Sequence, residues 1–243
     1  MNYDERCDKG PMKIVIVSDI HGNYDALSAL PESYDELWVL GDLVNYGPEP
    51  KEVVDFVRHR ATLVVRGNHD QCIGYADDPR CSLRFREMAE ATRWFSAAVV
   101  TREQKAYLRS LPLQTNCTRP ETRFYLCHAT PSDPLYEYRS ASSDKWADEC
   151  VHMHADVILV GHTHIPFIRS FNGQTVVNPG SLGQPKTGKP DACYAVWEDG
   201  QVSLRSYGYP VNKTIDKIRL MPVGKAVQID LIHVLESGGQ APG

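Results

Sequence analysis

The sequence predicts a layered α/β fold, and three observations carry the prediction. Short β-branched runs alternate with helical patterns up to Gly161. Polar residues gather where those runs end. After Gly161 short strands follow one another closely, separated by hairpin dipeptides. The first run, residues 13–18 (KIVIVS), has the composition of a buried strand. Further strands are predicted at 37–40 (LWVL), 62–65 (TLVV), 124–127 (FYLC) and 156–160 (DVILV). Helical patterns lie between them at 24–30, 51–60, 84–100 and 101–110. The later strands fall at 167–170, 175–177, 193–197 and 202–206. Asn172-Gly173 and Asp199-Gly200 supply hairpin turns, so this half reads as antiparallel. A last helix is expected over 213–220, before Pro222. The apolar stretch 229–235 (IDLIHVL) fits a strand, a helix or a dimer contact.

The chain of 243 residues is long enough for a sizeable core, and 42% hydrophobic with 23% charged residues is ordinary for a globular protein. We expect a single domain over 12–236. Residues 1–11 and 237–243 read as flexible tails, and Met12 is a second candidate start. The net charge of −5 and the lack of a long basic run argue against a sequence-independent grip on nucleic acid. No apolar stretch reaches the roughly 20 residues of a membrane span, and the polar N-terminus lacks the apolar core of a signal peptide. The 7 cysteines are scattered and form no C-x-x-C, which suits reduced thiols in a cytoplasmic protein.

Five predicted strands end on the same kinds of residue. The first runs into Asp19-Ile20-His21, the second into Gly41-Asp42, and the third into Gly67-Asn68-His69-Asp70. The fourth ends on His128 and the fifth on Gly161-His162-Thr163-His164. Ligands bind at the carboxyl ends of strands in α/β sheets. Carboxylate with imidazole suits zinc, manganese or iron, and the thiolates of a structural zinc site are missing. Five of the nine histidines lie at these ends; His59, His152, His154 and His233 do not. A single D-x-H or H-x-H is commonly just a polar pair. The whole ordered set is not coincidence.

This set resembles the calcineurin-like metallophosphoesterase family, whose pattern reads D-x-H, G-D-x-x, G-N-H-D/E, H and G-H-x-H. Every member of the pattern is present here, over residues 12–206. The stretches 41–50, 130–138 and 178–185 further resemble a small single-domain bacterial and archaeal branch. Ala129 departs from the Gly expected after the lone histidine, without touching the imidazole. The resemblance implies a four-layer α-β-β-α sandwich of two mixed β-sheets. It also implies two divalent metal ions, manganese foremost, with iron, zinc and nickel as alternatives.

By the same resemblance Asp19, His21, Asp42 and His164 hold one ion, and Asp42, Asn68, His128 and His162 hold the other, with Asp42 bridging. A hydroxide between the ions would attack phosphorus in line. His69 would face the leaving group, and Asp70 would hold that imidazole and raise its pKa; a helix cap or solvated carboxylate is the alternative for Asp70. Asn45 and Tyr46 either shape access to the site or form a plain turn. Ser181 and the turn at Asn178 read as a structural loop, and His152 and His154 as exposed. Residues 71–123, with Arg80, Arg84, Arg86 and Arg93, form the largest insertion between ligands. They are a candidate lid over a phosphate-rich substrate, or a solvated amphipathic face.

The implied activity is hydrolysis of a phosphodiester or phosphomonoester. A dinucleoside polyphosphate hydrolase and a protein phosphatase are alternatives, because the metal chemistry is shared and the loops choose the substrate. The expected partner is a small phosphate ester or nucleotide, with no membrane and no sequence-specific nucleic acid; an oligomer is compatible. A scaffold of the same fold, like the related retromer subunit, has no need of the complete ligand set, which favours an enzyme.

Overall fold

The computed structural model describes residues 12–80 and 85–239. The tail expected over 1–11, most of the one expected over 237–243, and Arg84 lie outside the described residues.

Strands β1 (Lys13–Val17), β2 (Glu36–Val39) and β3 (Leu63–Val64) run parallel in one sheet. The antiparallel hairpin β9 (Ala192–Glu198) and β10 (Gln201–Tyr207) completes it in the order β10-β9-β1-β2-β3. The second sheet has the order β4-β5-β6-β8-β7. It is built from β4 (Gln114–Arg119), β5 (Thr122–Cys127), β6 (Val157–Leu159), β7 (Phe167–Phe171) and β8 (Gln174–Asn178), of which β5, β6 and β8 are parallel. Both expected hairpin turns form. Asn172 and Gly173, like Asp199 and Gly200, all have positive φ, the requirement of a turn whose twist matches the strands it joins.

Alternation along β1 shows how the layers arise. Ile14 and Ile16 face the second sheet, clustering with Trp38 and Trp197 of their own sheet and Phe124, Leu126 and Leu159 of the other. Val15 and Val17 face outward with Leu37 and Val39. Against that outer face pack α1 (Tyr24–Ser28), α2 (Pro50–Arg60), α3 (Asn68–Tyr75) and α5 (Arg102–Ser110), through Leu27, Val53, Val57, Ile73 and Leu108. Helix α6 (Lys145–Val151) covers the outer face of the second sheet with Trp146 and Cys150. The result is the expected four-layer α-β-β-α sandwich. A separate apolar cluster joins α4 (Arg86–Val99), α7 (Val211–Leu220) and α8 (Lys225–Ser237), and Tyr46 inserts into it.

Local signals place the helices. Pro50 sits at the first position of α2, where its missing N–H costs nothing. Thr101 and Gln104 exchange side chain–backbone bonds of 3.2 and 3.0 Å in a capping box that starts α5. Two elements differ from the sequence reading. Strand β4 has no apolar alternation (QTNCTR) because it is a half-exposed edge, and only its pairing with β5 makes it a strand. The ambiguous stretch 229–235 is helix, since Leu231, Val234 and Leu235 share one buried face towards α4 and α7. That helix also runs through Ser237, and the carbonyl of Gly238 accepts from the Gly188 N–H at 2.9 Å, so these two residues are not a flexible tail.

Leu126 is fully buried between the sheets. Leu126→Ala is expected to lower unfolding free energy by about 2–5 kcal/mol, the usual cost of such a cavity. Urea unfolding followed by circular dichroism measures it, and a loss below about 1 kcal/mol would mean that the two sheets can close the gap.

Candidate metal centre

The parallel strands of both sheets deliver their carboxyl ends to one place. Asp19 and His21 follow β1, Asp42 follows β2, Asn68 and His69 open α3 after β3, His128 follows β5, and His162 and His164 follow β6. The loops are locked together by backbone bonds that continue past the strands: Asp19 N–H to the Gly41 carbonyl (3.1 Å), His21 N–H to Asp42 (2.9 Å) and Gly161 N–H to His128 (2.7 Å). Asp19, His21, Asp42, His162 and His164 all have φ between 47 and 65°, the left-handed region that non-glycine residues rarely occupy. Each such residue costs on the order of 1–3 kcal/mol, and clusters of them mark sites where geometry serves function.

Each side chain is aimed by a bond on its far side. Asp19 accepts the His162 N–H through one carboxylate oxygen (3.1 Å), and its other oxygen, Oδ1, is buried without a hydrogen-bond partner. Asp42 accepts the His69 N–H through Oδ1 (2.9 Å), leaving Oδ2 to face the imidazoles. Asn68 donates its amide to the Pro79 carbonyl at 2.7 Å, which turns its oxygen inward. The Nδ1 atoms of His21, His128 and His164 lie 3.1, 2.7 and 2.7 Å from the carbonyls of Val44, Leu40 and Gln184. A carbonyl only accepts, so Nδ1 carries the proton and Nε2 is presented to the site.

Two groups result: Asp19, His21 and His164, and Asp42, His128 and His162. In the first, the Nε2 atoms of His21 and His164 lie 3.2 Å apart, and that of His164 lies 3.3 Å from the orphaned Asp19 Oδ1. Acceptors facing acceptors, buried together, are the arrangement a cation satisfies. In the second, His128 Nε2 lies 3.3 Å from Asp42 Oδ2 and 3.0 Å from Asn68 Oδ1. The residues therefore fit two metal ions.

Protonation agrees with this. Burial opposes ionisation of Asp19 and Asp42, but the His164 and His128 imidazoles outweigh it and hold both carboxyls well below the usual range. Burial pushes His21 and His164 down, and burial with His128 takes His162 to about 3. His128 is the exception: burial lowers it, but Asp42 lifts it to about 9, so a metal must displace that proton.

The expected pairing of Asp70 with His69 is corrected. Asp70 takes the amide protons of Asp42 (2.8 Å), Leu43 (2.8 Å) and Gly67 (3.0 Å), which pins the Asp42 loop to the start of α3. Burial and the Asp42 charge push its carboxyl up to about 7, against those amide bonds. The neighbour of His69 Nδ1 is Asn45, whose Nδ2 lies 2.7 Å away. Asn45 Oδ1 is buried without a partner, so a turned amide can accept from a protonated Nδ1 in the same place. Tyr46 packs edge-on to His21 at 4.8 Å and tilted to His69 at 4.9 Å. The sequence reading gave Asn45 a part in shaping access or in a plain turn, and the contact with His69 was not foreseen. Gln184 was missed, because its backbone carbonyl rather than its side chain does the work. Ser181 and the turn at Asn178 are structural, as expected: Ser181 Oγ donates to the Asp19 carbonyl (2.7 Å) and Asn178 to that of Gly161 (2.6 Å). His152 and His154 are exposed. The site opens into a cleft of about 540 Å³, rimmed by Arg80, Phe85, Tyr136, Tyr138 and Lys186.

The pattern of the calcineurin-like phosphoesterase superfamily domain matches residues 12–199. The chain belongs to this family. It is a metal-binding hydrolase of phosphate esters, in a family that uses a dinuclear metal site. An uncharacterised protein of Methanocaldococcus jannaschii is 31% identical over 228 residues, 84% of this chain and 91% of that one. A symmetrical bis(5'-nucleosyl)-tetraphosphatase of Psychromonas ingrahamii is 42% identical over 67 residues, 24% of each chain. The crystal structure of a metallophosphoesterase from Sphaerobacter thermophilus superposes with a TM-score of 0.79 at 27% identity, covering 94% of this chain and all of that one. Among the described residues of this calcineurin-like chain, no helix is long and apolar enough to cross a membrane.

A Cβ at Gly67 would stand 2.0 Å from Asp42 Oδ1. Gly67→Ala is expected to leave the far-ultraviolet circular dichroism unchanged and to lower bound metal below two equivalents by elemental analysis. Two equivalents with wild-type affinity would show that Asp42 need not hold its position.

Proposed function

We propose that this chain hydrolyses a phosphodiester at the joint of its two ligand groups. Asp19, His21, Asp42 and His164 hold one metal ion; Asp42, Asn68, His128 and His162 hold the other. One observation carries the reading. Asp42 Oδ2 lies 3.7 Å from His21 Nε2 and 3.3 Å from His128 Nε2, so a single carboxylate oxygen serves both groups. Divalent ions held there, manganese foremost by the family resemblance, would neutralise phosphate oxygens and acidify water.

The chain's own residues do the rest. His69 borders the cleft, and a turned Asn45 amide accepts from its Nδ1–H, so the imidazolium gives its Nε2 proton to the leaving oxygen as the ester bond breaks and is left neutral. Asp70 acts through the backbone: by holding the Asp42 and Leu43 amides it keeps the shared carboxylate in register. From the segment 71–123, Arg80 and Phe85 contribute to the rim of the cleft over the substrate. A nucleotide ester is the favoured substrate class. The similarity to a symmetrical bis(5'-nucleosyl)-tetraphosphatase, confined to a quarter of each chain, points the same way.

Metal-stripped protein re-supplied with manganese is expected to hydrolyse bis(p-nitrophenyl) phosphate faster than p-nitrophenyl phosphate. Asp42→Asn should lose most activity and bound metal together; full activity with intact metal content would sink the shared-ligand role. His69→Ala should keep its metal and lose about 10²–10⁴-fold in kcat, the range of general acid catalysis. Asn45→Ala should slow esters of poor leaving groups more than p-nitrophenyl esters, since a good leaving group needs little protonation. An equal loss on both would leave Asn45 a purely structural residue.

A further inference from the structure

The loop between β8 and β9 is held in place through its main chain. The N–H groups of Leu182 and Gly183 go to the carbonyls of Ser18 (2.9 Å) and Asp19 (3.1 Å), just past β1. The Gly183 carbonyl accepts from Asn23 Nδ2 at 3.0 Å. At Gln184 the N–H goes to Ser181 Oγ at 2.8 Å, and the carbonyl lies 2.7 Å from His164 Nδ1. The backbone of Gln184 is thereby fixed relative to a candidate metal ligand.

The side chain of Gln184 is not engaged in the same way. The residue is 3% exposed, and its Nε2 is buried without a hydrogen-bond partner among the described residues. A buried donor left so forfeits the bonds it made with water, and such groups are rare in native structures. The side-chain donors around it are taken: Asn23 by the Gly183 carbonyl, Ser181 by that of Asp19, and Asn178 by that of Gly161. Gln184 lines two hollows. One lies under α7 and α8, where the polar side chains, Asn23 and Thr214, bond to each other at 3.2 Å. The other is the metal cleft, which Gln184 shares with Asp42, His69 and His164. The acceptor that completes the amide therefore comes from the cleft. An N–H repels a cation, so the missing partner is an oxygen that accepts.

We propose that the Gln184 side-chain amide is a substrate contact, giving its Nε2–H to a non-bridging oxygen of the phosphate ester. This deepens the phosphodiester reading above and rests on it for the position of the phosphorus. An amide on a pinned backbone supplies a direction, which a point charge does not. Being neutral, it orients the ester without changing the charge of the site. Its hydrogen bond strengthens as the phosphoryl oxygens gain negative charge, which puts part of its effect in the transition state. Gln184 then has two separate tasks: its carbonyl aims His164, and its amide aims the ester.

Calorimetric binding of inorganic phosphate to the full manganese-loaded chain tests the contact. Gln184→Met keeps the length of the side chain and the carbonyl to His164, so it is expected to hold two equivalents of manganese. It should bind phosphate about tenfold more weakly or worse, the scale of a lost hydrogen bond to a charged acceptor. Gln184→Glu keeps an acceptor and loses the donor, and should bind more weakly still. Both variants are expected to lose about tenfold or more in kcat/KM on bis(p-nitrophenyl) phosphate, the same scale. Wild-type phosphate affinity in either variant, with both metal equivalents in place, would overturn the contact. A fall in kcat/KM without a fall in phosphate affinity would overturn it too, and so would a wild-type protein that binds no phosphate. Should Gln184→Met release manganese, Gln184→Glu is read in its place; release from both would make the residue a support of the ligands and refute the contact. Hydrolysis of neither p-nitrophenyl ester by the wild-type protein would overturn the phosphodiester reading, and phosphate affinity then still decides the contact.

Discussion

Buried acceptors with no proton between them are the constraint around which this structure is arranged. His21 and His164 present bare nitrogens to each other at 3.2 Å, and Asp19 adds an unpartnered oxygen. Water cannot relieve a cluster at 0–4% exposure as it would a surface group. A divalent cation can, and the surrounding bonds hold the acceptors in place as a cation site requires. Carbonyls of Val44, Leu40 and Gln184 fix three imidazoles, backbone amides occupy the outer oxygen of each carboxylate, and Pro79 turns Asn68.

The strained backbone belongs to the same account. A ligand at φ near 55° would relax to an ordinary conformation if its neighbours let it. They do not, because the loops after β1 and β2 bond to each other beyond the strands, and because close approaches leave no room. A Cβ at Gly161 would meet Ser18 Oγ at 2.0 Å. Asp70 is the clearest example of support at one remove. Its sequence position suggested a partner for His69, but it binds three amides instead and stabilises the turn that carries Asp42.

Much of this was legible in the sequence. The strand ends and the candidate ligands that follow them could be read because apolar runs and the residues after them are contiguous, and the resemblance supplied their order. The hairpins at Asn172 and Asp199 were legible because a two-residue turn is a local requirement. What could not be read depends on partners distant in the chain. Strand β4 exists through β5. The helix at 225–237 is apolar on a face that only α4 and α7 define. Asn45 reaches His69 across 24 positions, and Gln184 acts through a carbonyl that any residue type would supply. Asp70 misled because adjacency in sequence places successive side chains of a helix on different faces.

Each ligand group draws on both sheets. The first joins Asp19 and His21 of one sheet to His164 of the other; the second joins Asp42 to His128 and His162. A chain leaving the ribosome presents Asp19, His21 and Asp42 early, yet neither group is complete until residues 162 and 164 have emerged. The site is consequently all-or-none in time as well as in space: nascent chains hold no finished metal pocket, and the ions become available as fasteners only when the sandwich can close around them.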